Sequence, residues 1–458
     1  MPPVLPCPSG GALGIVEIPR GHEASRVDIS LRLVGQAGKR GIIPRLPTAD
    51  RLVGDIERWV RTDLGETVRG TRCGMNPGGD AELLVDLHPA APPLTFSADD
   101  AGRVTAHAVT ASVGPGYHGF VSRAAERLGH ELSIVWQEPG QDESAPGLPA
   151  EAGQFGARTR QVATRAHLAW LGSLLRQAQE ARRHGQAGIH FGTPPDVRFT
   201  FEGALATALG PRDDAWLEAA ATDARIAVEA WPWWADAMDA RYSLNRALCL
   251  MWTEVRWRAP ANDQERAVVD EALALLLHAF PLDPTLPFPW PEWQELLELR
   301  GMHDPRTRFV GERAAGVGEA TPRVGYRRRP VTVLHEGWAL EVPGTFTGGR
   351  HDDEWSGGEA GRNVTLAAVP TGTERGPMPP ETFLARVAGS LGDGALTHRQ
   401  GDLVGRARLS VDASSGVSVG VLEGYSAVLG RGAAIRIEFE DPEDWSWAVE
   451  RWRALRPL

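Results

Sequence analysis

The chain has 458 residues, of which 42% are hydrophobic and 23% are charged, a balance that is typical of globular domains. A chain of this length is expected to form about two to four domains. Its net charge of −11 argues against nucleic acid or an anionic membrane as a partner, because both bind concentrated positive charge.

Lysine is almost absent from the sequence, since Lys39 stands against 47 arginines. This bias indicates a GC-rich, bacterial genome. It also argues against pyridoxal enzymes, protein kinases and P-loop nucleotidases, which all use a lysine amine in a defined setting. Lys39 lies between Gly38 and Arg40 and is not followed by the Ser or Thr of a P-loop.

The three cysteines, Cys7, Cys73 and Cys249, form no C-x-x-C pair and are odd in number. They therefore predict neither a disulfide framework nor a cysteine-rich zinc site, and they favour a reducing compartment. The sequence shows no signal pattern and no apolar stretch of about 18 residues. We expect a soluble, cytoplasmic protein that makes no contact with a membrane.

Residues 1–140 have the pattern of a mixed α/β domain. A strand is predicted over 26–34 and a helix over 49–64, followed by short apolar runs at 83–87 and 104–113.

A glycine-rich turn at residues 114–119 has the form G-x-G-x-x-G, with Gly114, Gly116 and Gly119 at the glycine positions. It stands between a predicted strand and a predicted helix. Glu138 follows 19 residues after the last glycine, about where a dinucleotide-binding unit places the carboxylate that binds ribose. This pattern predicts binding of NAD, NADP or FAD, with His118 as an acid or base.

The strand before this turn argues for a simpler interpretation. Residues 104–112 alternate small apolar with polar side chains, whereas a central parallel strand is a nearly continuous apolar run. Pro115 also stiffens the turn that would enclose the phosphates. The alternative is a glycine-rich turn that only starts a helix.

Residues 157–301 are predicted to be mainly helical. A long helix over 159–184 has an apolar stripe of Val162, Ala166, Trp170 and Leu174, and residues 213–300 are predicted to be helical throughout. This segment contains the densest cluster of tryptophans in the chain, which we expect to pack in a core, with a binding surface as the alternative. The cluster consists of Trp231, Trp233, Trp234, Trp252, Trp257, Trp290 and Trp293.

Residues 331–458 predict strands, then a helix from 379, then three strands and a closing helix over 441–455. With the Trp-x-Leu-x-Val-Pro motif at 338–343 and the Asp-x-x-x-Trp motif at 441–445, this segment resembles the PsbP-like α/β sandwich family. The resemblance implies an interaction or assembly module without shared catalytic residues.

Two further motifs have structural interpretations. The acidic sequence at 351–354 is expected to be a solvated loop and not a metal site, because it lacks the spacing of known metal motifs. The G-x-S-x-G sequence at 416–420 lies in a strand pattern, and no histidine follows His398, so it does not predict a hydrolase.

Together these patterns predict an α+β multidomain protein with a mixed α/β domain at 1–140, a Trp-rich helical domain at 157–301 and a PsbP-like α/β sandwich at 331–458. We expect a non-catalytic accessory or assembly protein that binds a protein partner and needs no cofactor or metal. The alternative is a nucleotide-binding enzyme or sensor that uses Gly114, Gly116, Gly119 and Glu138.

Overall fold

The computed structural model of the protein describes residues 29–38, 46–137, 157–235, 237–303, 305–317, 322–351, 353–373, 376–392, 394–413 and 418–458. It is a mixed α+β protein of more than one domain, as the sequence predicts. The chain forms two compact units. The first contains Met1–Thr193, Glu202–Leu250 and Ala274–Phe288, and the second contains Pro194–Phe201, Met251–Leu273 and Pro289–Leu458. The boundaries 1–140, 157–301 and 331–458 remain a prediction.

The helices of the described residues are α1 Ala49–Trp59, α2 Pro115–Leu132, α3 Ala157–Arg183, α4 Asp214–Thr222, α5 Ala240–Thr253, α6 Asp263–Leu282, α7 Trp290–Leu299, α8 Pro305–Ala315, α9 Pro380–Val387 and α10 Trp445–Arg453. Within the described ranges, none of these helices combines the length and the apolar composition that crossing a bilayer requires.

The strands are β1 Ser30–Ala37, β2 Gly70–Met75, β3 Ala81–Asp86, β4 Leu94–Ala98, β5 Arg103–Val109, β6 Ile134–Gln137, β7 Ile189–His190, β8 Val197–Phe199, β9 Leu205–Thr207, β10 Gly210–Arg212, β11 Val331–His335, β12 Trp338–Val342, β13 Thr347–His351, β14 Glu354–Glu359, β15 Arg362–Pro370, β16 Gly372–Thr373, β17 Gly376–Pro377, β18 Leu396–Gln400, β19 Leu403–Asp412, β20 Val419–Val428, β21 Arg431–Phe439 and β22 Arg456–Pro457.

The first unit contains a six-stranded sheet in the order β2-β3-β4-β5-β1-β6, and all its neighbouring strands are antiparallel. One face of the sheet is buried with α1 and α2 in a common core that includes Leu33, Leu52, Leu83, Phe96 and Leu128. The residues on the other face are half-exposed or exposed. This explains the alternation in β5, because an antiparallel sheet that is covered on one side needs apolar residues at every second position.

Helix α3 is present as predicted, but its predicted apolar stripe is wrong. The buried residues of α3 include Ala163, His167, Leu171 and Leu175, each one position after the predicted residue, and Val162 is 42% exposed. Leu171 and Leu175 pack in a core with Leu217 of α4. Since Trp170 and Leu174 lie at the border of this core and are half-buried, the apolar pattern alone placed the buried face one residue too early.

The prediction of helix throughout 213–300 is wrong at 223–225, 254–262 and 283–289, which are not helical. It is also wrong before α5, where residues 231–235 and 237–239 have no regular structure. The cause is Pro232, because proline disfavours helical geometry at the residue before it. Trp231 accordingly has an extended backbone, with φ −119° and ψ 145°. At the start of α6, Asn262 caps the helix, since the Glu265 amide donates to Asn262 Oδ1 at 2.9 Å.

The second unit contains a seven-stranded antiparallel sheet in the order β13-β14-β15-β21-β20-β19-β18. Helices pack on both faces of it. A Cβ on Gly432 would lie 2.7 Å from Phe383 of α9, and a Cβ on Gly424 would lie 2.9 Å from Trp452 of α10. Gly432 and Gly424 belong to opposite faces in the strand register, so α9 and α10 cover opposite sides. The predicted strands and helices over 331–458 are present. The strands β13, β14, β16, β17, β18 and β22 are additional.

Candidate functional site

The glycine-rich turn joins β5 to α2 in the first unit. Gly114 is the N-cap of α2 and has a φ of 104°, which favours glycine, and Pro115 occupies the first helical position. The predicted turn and helix are therefore present, and Gly116, His118 and Gly119 lie buried in the first turns of α2.

The second glycine allows another part of the chain to approach closely. The Gly116 amide donates to the Trp234 carbonyl oxygen at 2.8 Å. A Cβ on Gly116 would lie 2.5 Å from the Trp234 ring and 2.7 Å from that oxygen. A side chain at position 116 would therefore collide with the irregular segment before α5, and this contact explains the glycine without a ligand.

Dinucleotide binding at the turn remains a prediction, and two features of the structure argue against it. The known dinucleotide-binding units have parallel strands, whereas β5 pairs with antiparallel neighbours on both sides. A pyrophosphate at the start of α2 would also have to displace the Trp234 carbonyl from the Gly116 amide. Glu138, the predicted ribose ligand, lies outside the described residues.

Beside the turn, two buried histidines lie with their ring centroids 6.3 Å apart, His118 in α2 and His167 in α3. His118 Nδ1 is 2.9 Å from Thr110 Oγ1, and this hydroxyl donates its proton to the Ile29 carbonyl oxygen at 3.1 Å. Since the hydroxyl proton is used there, His118 Nδ1 is the donor to Thr110. His167 Nδ1 likewise donates to the Ala163 carbonyl oxygen at 2.8 Å.

Burial keeps both imidazoles neutral. It lowers the pKa of His118 to about 4, with a smaller contribution from His167, and it also lowers the pKa of His167. His118 is 2% exposed and His167 is 0% exposed. A catalytic acid or base has to reach its substrate, so this arrangement favours a structural role for the pair. His167 was not predicted as a buried residue, although its spacing of four residues from Ala163 and from Leu171 indicates the buried face of α3.

A charged face lies on the second unit's seven-stranded sheet, on the side opposite α10. We define it by five residues, Arg406, Arg408, Glu423, Arg436 and Glu438. Its main row crosses the sheet, because Arg408 of β19 is opposite Glu423 of β20, and Glu423 is opposite Arg436 of β21.

Part of this charged face is neutralised internally and part is not. Arg436 donates to Glu423 at 2.9 Å and to Glu438 at 2.8 Å. Arg408 is exposed and Arg406 is half-exposed. Among the ion pairs of the described residues, neither of these two arginines takes part. Arg406 and Arg408 therefore add positive charge to this face without an ion pair, and the exposed Asp412 of β19 lies on the same side of the strand.

The remaining motifs lie in hairpins and strands. His351 ends β13 and Glu354 begins β14, so the acidic sequence is the turn of a hairpin, with Asp352 outside the described residues. In the part of the chain that the structure describes, no three His, Cys, Asp or Glu residues are grouped to hold a metal ion. Gly416 and Val417 lie outside the described residues, and the predicted strand after them is present as β20.

Comparison with known proteins gives no family for this chain. No protein-family model and no curated protein matches it. A crystal structure from Bacteroides thetaiotaomicron is similar to part of it, at 8% sequence identity and a TM-score of 0.23. The similarity covers 27% of this chain and 45% of that one, and a likeness of this size carries no argument about fold or function.

Proposed function

We propose that this protein is a non-catalytic accessory or assembly factor that binds a protein partner through the charged face of its C-terminal sheet. Residues 331–458 then act as an interaction module of the PsbP-like kind, in a reducing, cytoplasmic compartment. The observation that carries the proposal is the pair Arg406 and Arg408 of β19, which take part in no ion pair among the described residues.

The same face suggests the chemistry of the partner. Two arginines without an ion pair, next to an internally paired row, favour an acidic protein surface, because complementary charge steers association and selects the partner. Arginine suits this role, since its planar guanidinium binds carboxylates in a bidentate manner. Nucleic acid fits less well, because the charged face also presents Glu423 and Glu438.

Site-specific photo-crosslinking in the native host tests the proposal. Amine-reactive reagents have one lysine to attack, Lys39, so a benzoyl-phenylalanine residue is introduced at position 408. Position 308, an exposed arginine of α8 in the same unit, is the matched control. We expect one acidic protein to be crosslinked from position 408 and not from position 308. Equal crosslinking from both positions would refute the proposed site.

A thermal-shift screen addresses the alternative function directly. The full chain is heated with NAD, NADP, FAD or ATP, since a ligand that binds the folded state raises the melting temperature. Because the first turn of α2 is already filled by Trp234, we expect no shift. A clear rise with any of these nucleotides would favour the nucleotide-binding alternative over the accessory function.

A further inference from the structure

The second unit contains a cavity of about 120 Å³ that two arginines, Arg256 and Arg327, help to line. Most of its other walls are apolar and buried: Val331, Val333, Val342, Phe346 and Trp355. Asp196 and Gly348 also line it and are exposed, so the cavity opens to solvent on their side.

Arg327 is a fixed, buried part of this cavity. It is 8% exposed, its Nε donates to the Thr253 carbonyl oxygen at 2.7 Å, and its guanidinium lies 5.7 Å from the centroid of the Phe199 ring. Burial lowers the pKa of Arg327 well below its usual range, and the positive charge of Arg256 lowers it further. Arginine nevertheless keeps its proton at neutral pH. The cavity thus holds a buried positive charge.

Arg256 adds a second positive charge with a hydrogen-bond donor to spare. Its Nη1 is inaccessible to solvent and has no hydrogen-bond partner in the described part of the chain. Burial lowers the pKa of Arg256 to about 10, although the charges of Glu265 and Glu254 oppose this effect. Glu265 is itself paired with Arg258, whose Nη1 lies 2.8 Å from its Oε2.

Buried arginines without ion pairs lower the stability of the fold, which suggests that Arg256 and Arg327 serve a purpose other than stability. A buried donor on a charged group that lacks a partner is unfavourable. The ion pairs of the described residues include neither Arg256 nor Arg327. Two guanidinium groups that line one cavity are the donors that a carboxylate would satisfy.

We propose that this cavity binds a small organic carboxylate, with Arg256 and Arg327 donating to the carboxylate and the valines, Phe346 and Trp355 enclosing the hydrocarbon part. The negative charges of Asp196 and Glu254 act on both arginines, so a monoanion fits this cavity better than the more highly charged phosphate. Apolar cavities of roughly 150 Å³ hold benzene, so a ligand of about six heavy atoms has a suitable size. This site is independent of the charged face and does not rest on the proposed function.

Isothermal titration of the full chain with butyrate tests the ligand class. Butyramide is the neutral molecule of the same size, and inorganic phosphate is an anion without a hydrocarbon part. We expect butyrate to bind at least about tenfold more tightly than either, since hydrogen bonds between charged groups are lost with the amide and apolar contacts with phosphate. Phosphate or butyramide binding as tightly as butyrate would overturn the assignment.

The variant Arg256→Met separates a ligand site from a structural role. It removes a guanidinium whose Nη1 is unpartnered and keeps most of the side-chain volume, so we expect at least about tenfold weaker butyrate binding with an unchanged or higher melting temperature. Arg308→Met, in exposed α8, is the control and should change neither quantity. A lower melting temperature with unchanged butyrate affinity would mean that Arg256 serves only the fold.

Discussion

Close packing determines which residue type fits at individual positions of the first unit. The turn before α2 shows this most directly, because the Gly116 amide and Cα face the Trp234 carbonyl and ring. The unfilled space at Gly54, on α1, is the opposite case, since no atom lies within 4 Å of the place where its Cβ would be.

We therefore expect Gly116→Ala to lower the free energy of unfolding by about 1–3 kcal/mol, because an added methyl group collides with Trp234. Gly54→Ala should instead raise it by about 0.5–1 kcal/mol, since alanine is the better helix former. Urea unfolding of both variants measures these values. A neutral Gly116→Ala would show that the Trp234 contact does not require glycine.

A second prediction at this scale concerns acid stability. The pKa of His118 is about 4 in the folded protein and about 6.5 in an unfolded chain, so the unfolded chain binds the extra proton first. The contribution of His118 is therefore fully present above pH 6.5 and is lost as the pH falls toward 4. The shift corresponds to about 3 kcal/mol at most.

His118→Gln should remove part of this acid sensitivity. We expect its free energy of unfolding to fall less than that of the wild type between pH 7 and pH 4.5, as measured by urea unfolding at both values. His130→Gln changes an exposed histidine of the same helix and should leave the difference unchanged. An equal loss of stability in His118→Gln and in the wild type would contradict the assigned burial.

Among the elements, α10 and the seven-stranded sheet depend on one tryptophan. Trp452 is 1% exposed and packs over strand positions that are glycine, at Gly405 and Gly424. Glycines inside strands are unfavourable by themselves, and here they make room for the indole ring. Trp445 of the same helix is only half-buried.

Trp452→Ala should therefore lower the free energy of unfolding by about 3–5 kcal/mol, the range for a fully buried aromatic residue. Trp445→Ala should have a smaller effect. Thermal unfolding of the full chain compares the two. Similar losses of stability in both variants would mean that the Trp452 ring does not depend on packing against the glycines of β19 and β20.

The elements also show what the sequence could and could not predict. Strand alternation gave β5 and the strands after residue 331, because a one-sided sheet leaves a period of two in the sequence. The predicted buried face of α3 was displaced by one residue. His167 is a polar residue, so an apolar pattern does not include it, but packing buries it in the structure. The break at Pro232 interrupts a segment whose composition is otherwise typical of helix.

At the scale of the whole molecule, the two candidate sites of the second unit depend on residues that are distant in the sequence. Asp196, Arg256 and Arg327 meet at one cavity because β8 pairs with β11, and no local motif encodes that pairing. The charged face likewise needs the register of β19, β20 and β21. The glycine motif is local and was therefore visible, but its contact with Trp234 was not.

The two units bear differently on the proposed accessory function and on the nucleotide-binding alternative. The glycine turn of the first unit contacts Trp234 of its own chain, whereas the charged face of the second unit presents Arg406 and Arg408 without an ion pair among the described residues. The central claim is therefore that the charged face binds an acidic protein.

The affinity of the purified crosslinked partner for charge-reversed variants tests this claim most directly. We predict that Arg406→Glu with Arg408→Glu weakens binding by about tenfold or more, because attraction to an acidic surface becomes repulsion. Arg51→Glu with Arg308→Glu changes the net charge equally at exposed helix positions and should leave the affinity nearly unchanged. Equal weakening by both pairs, or by neither, would contradict binding at the charged face.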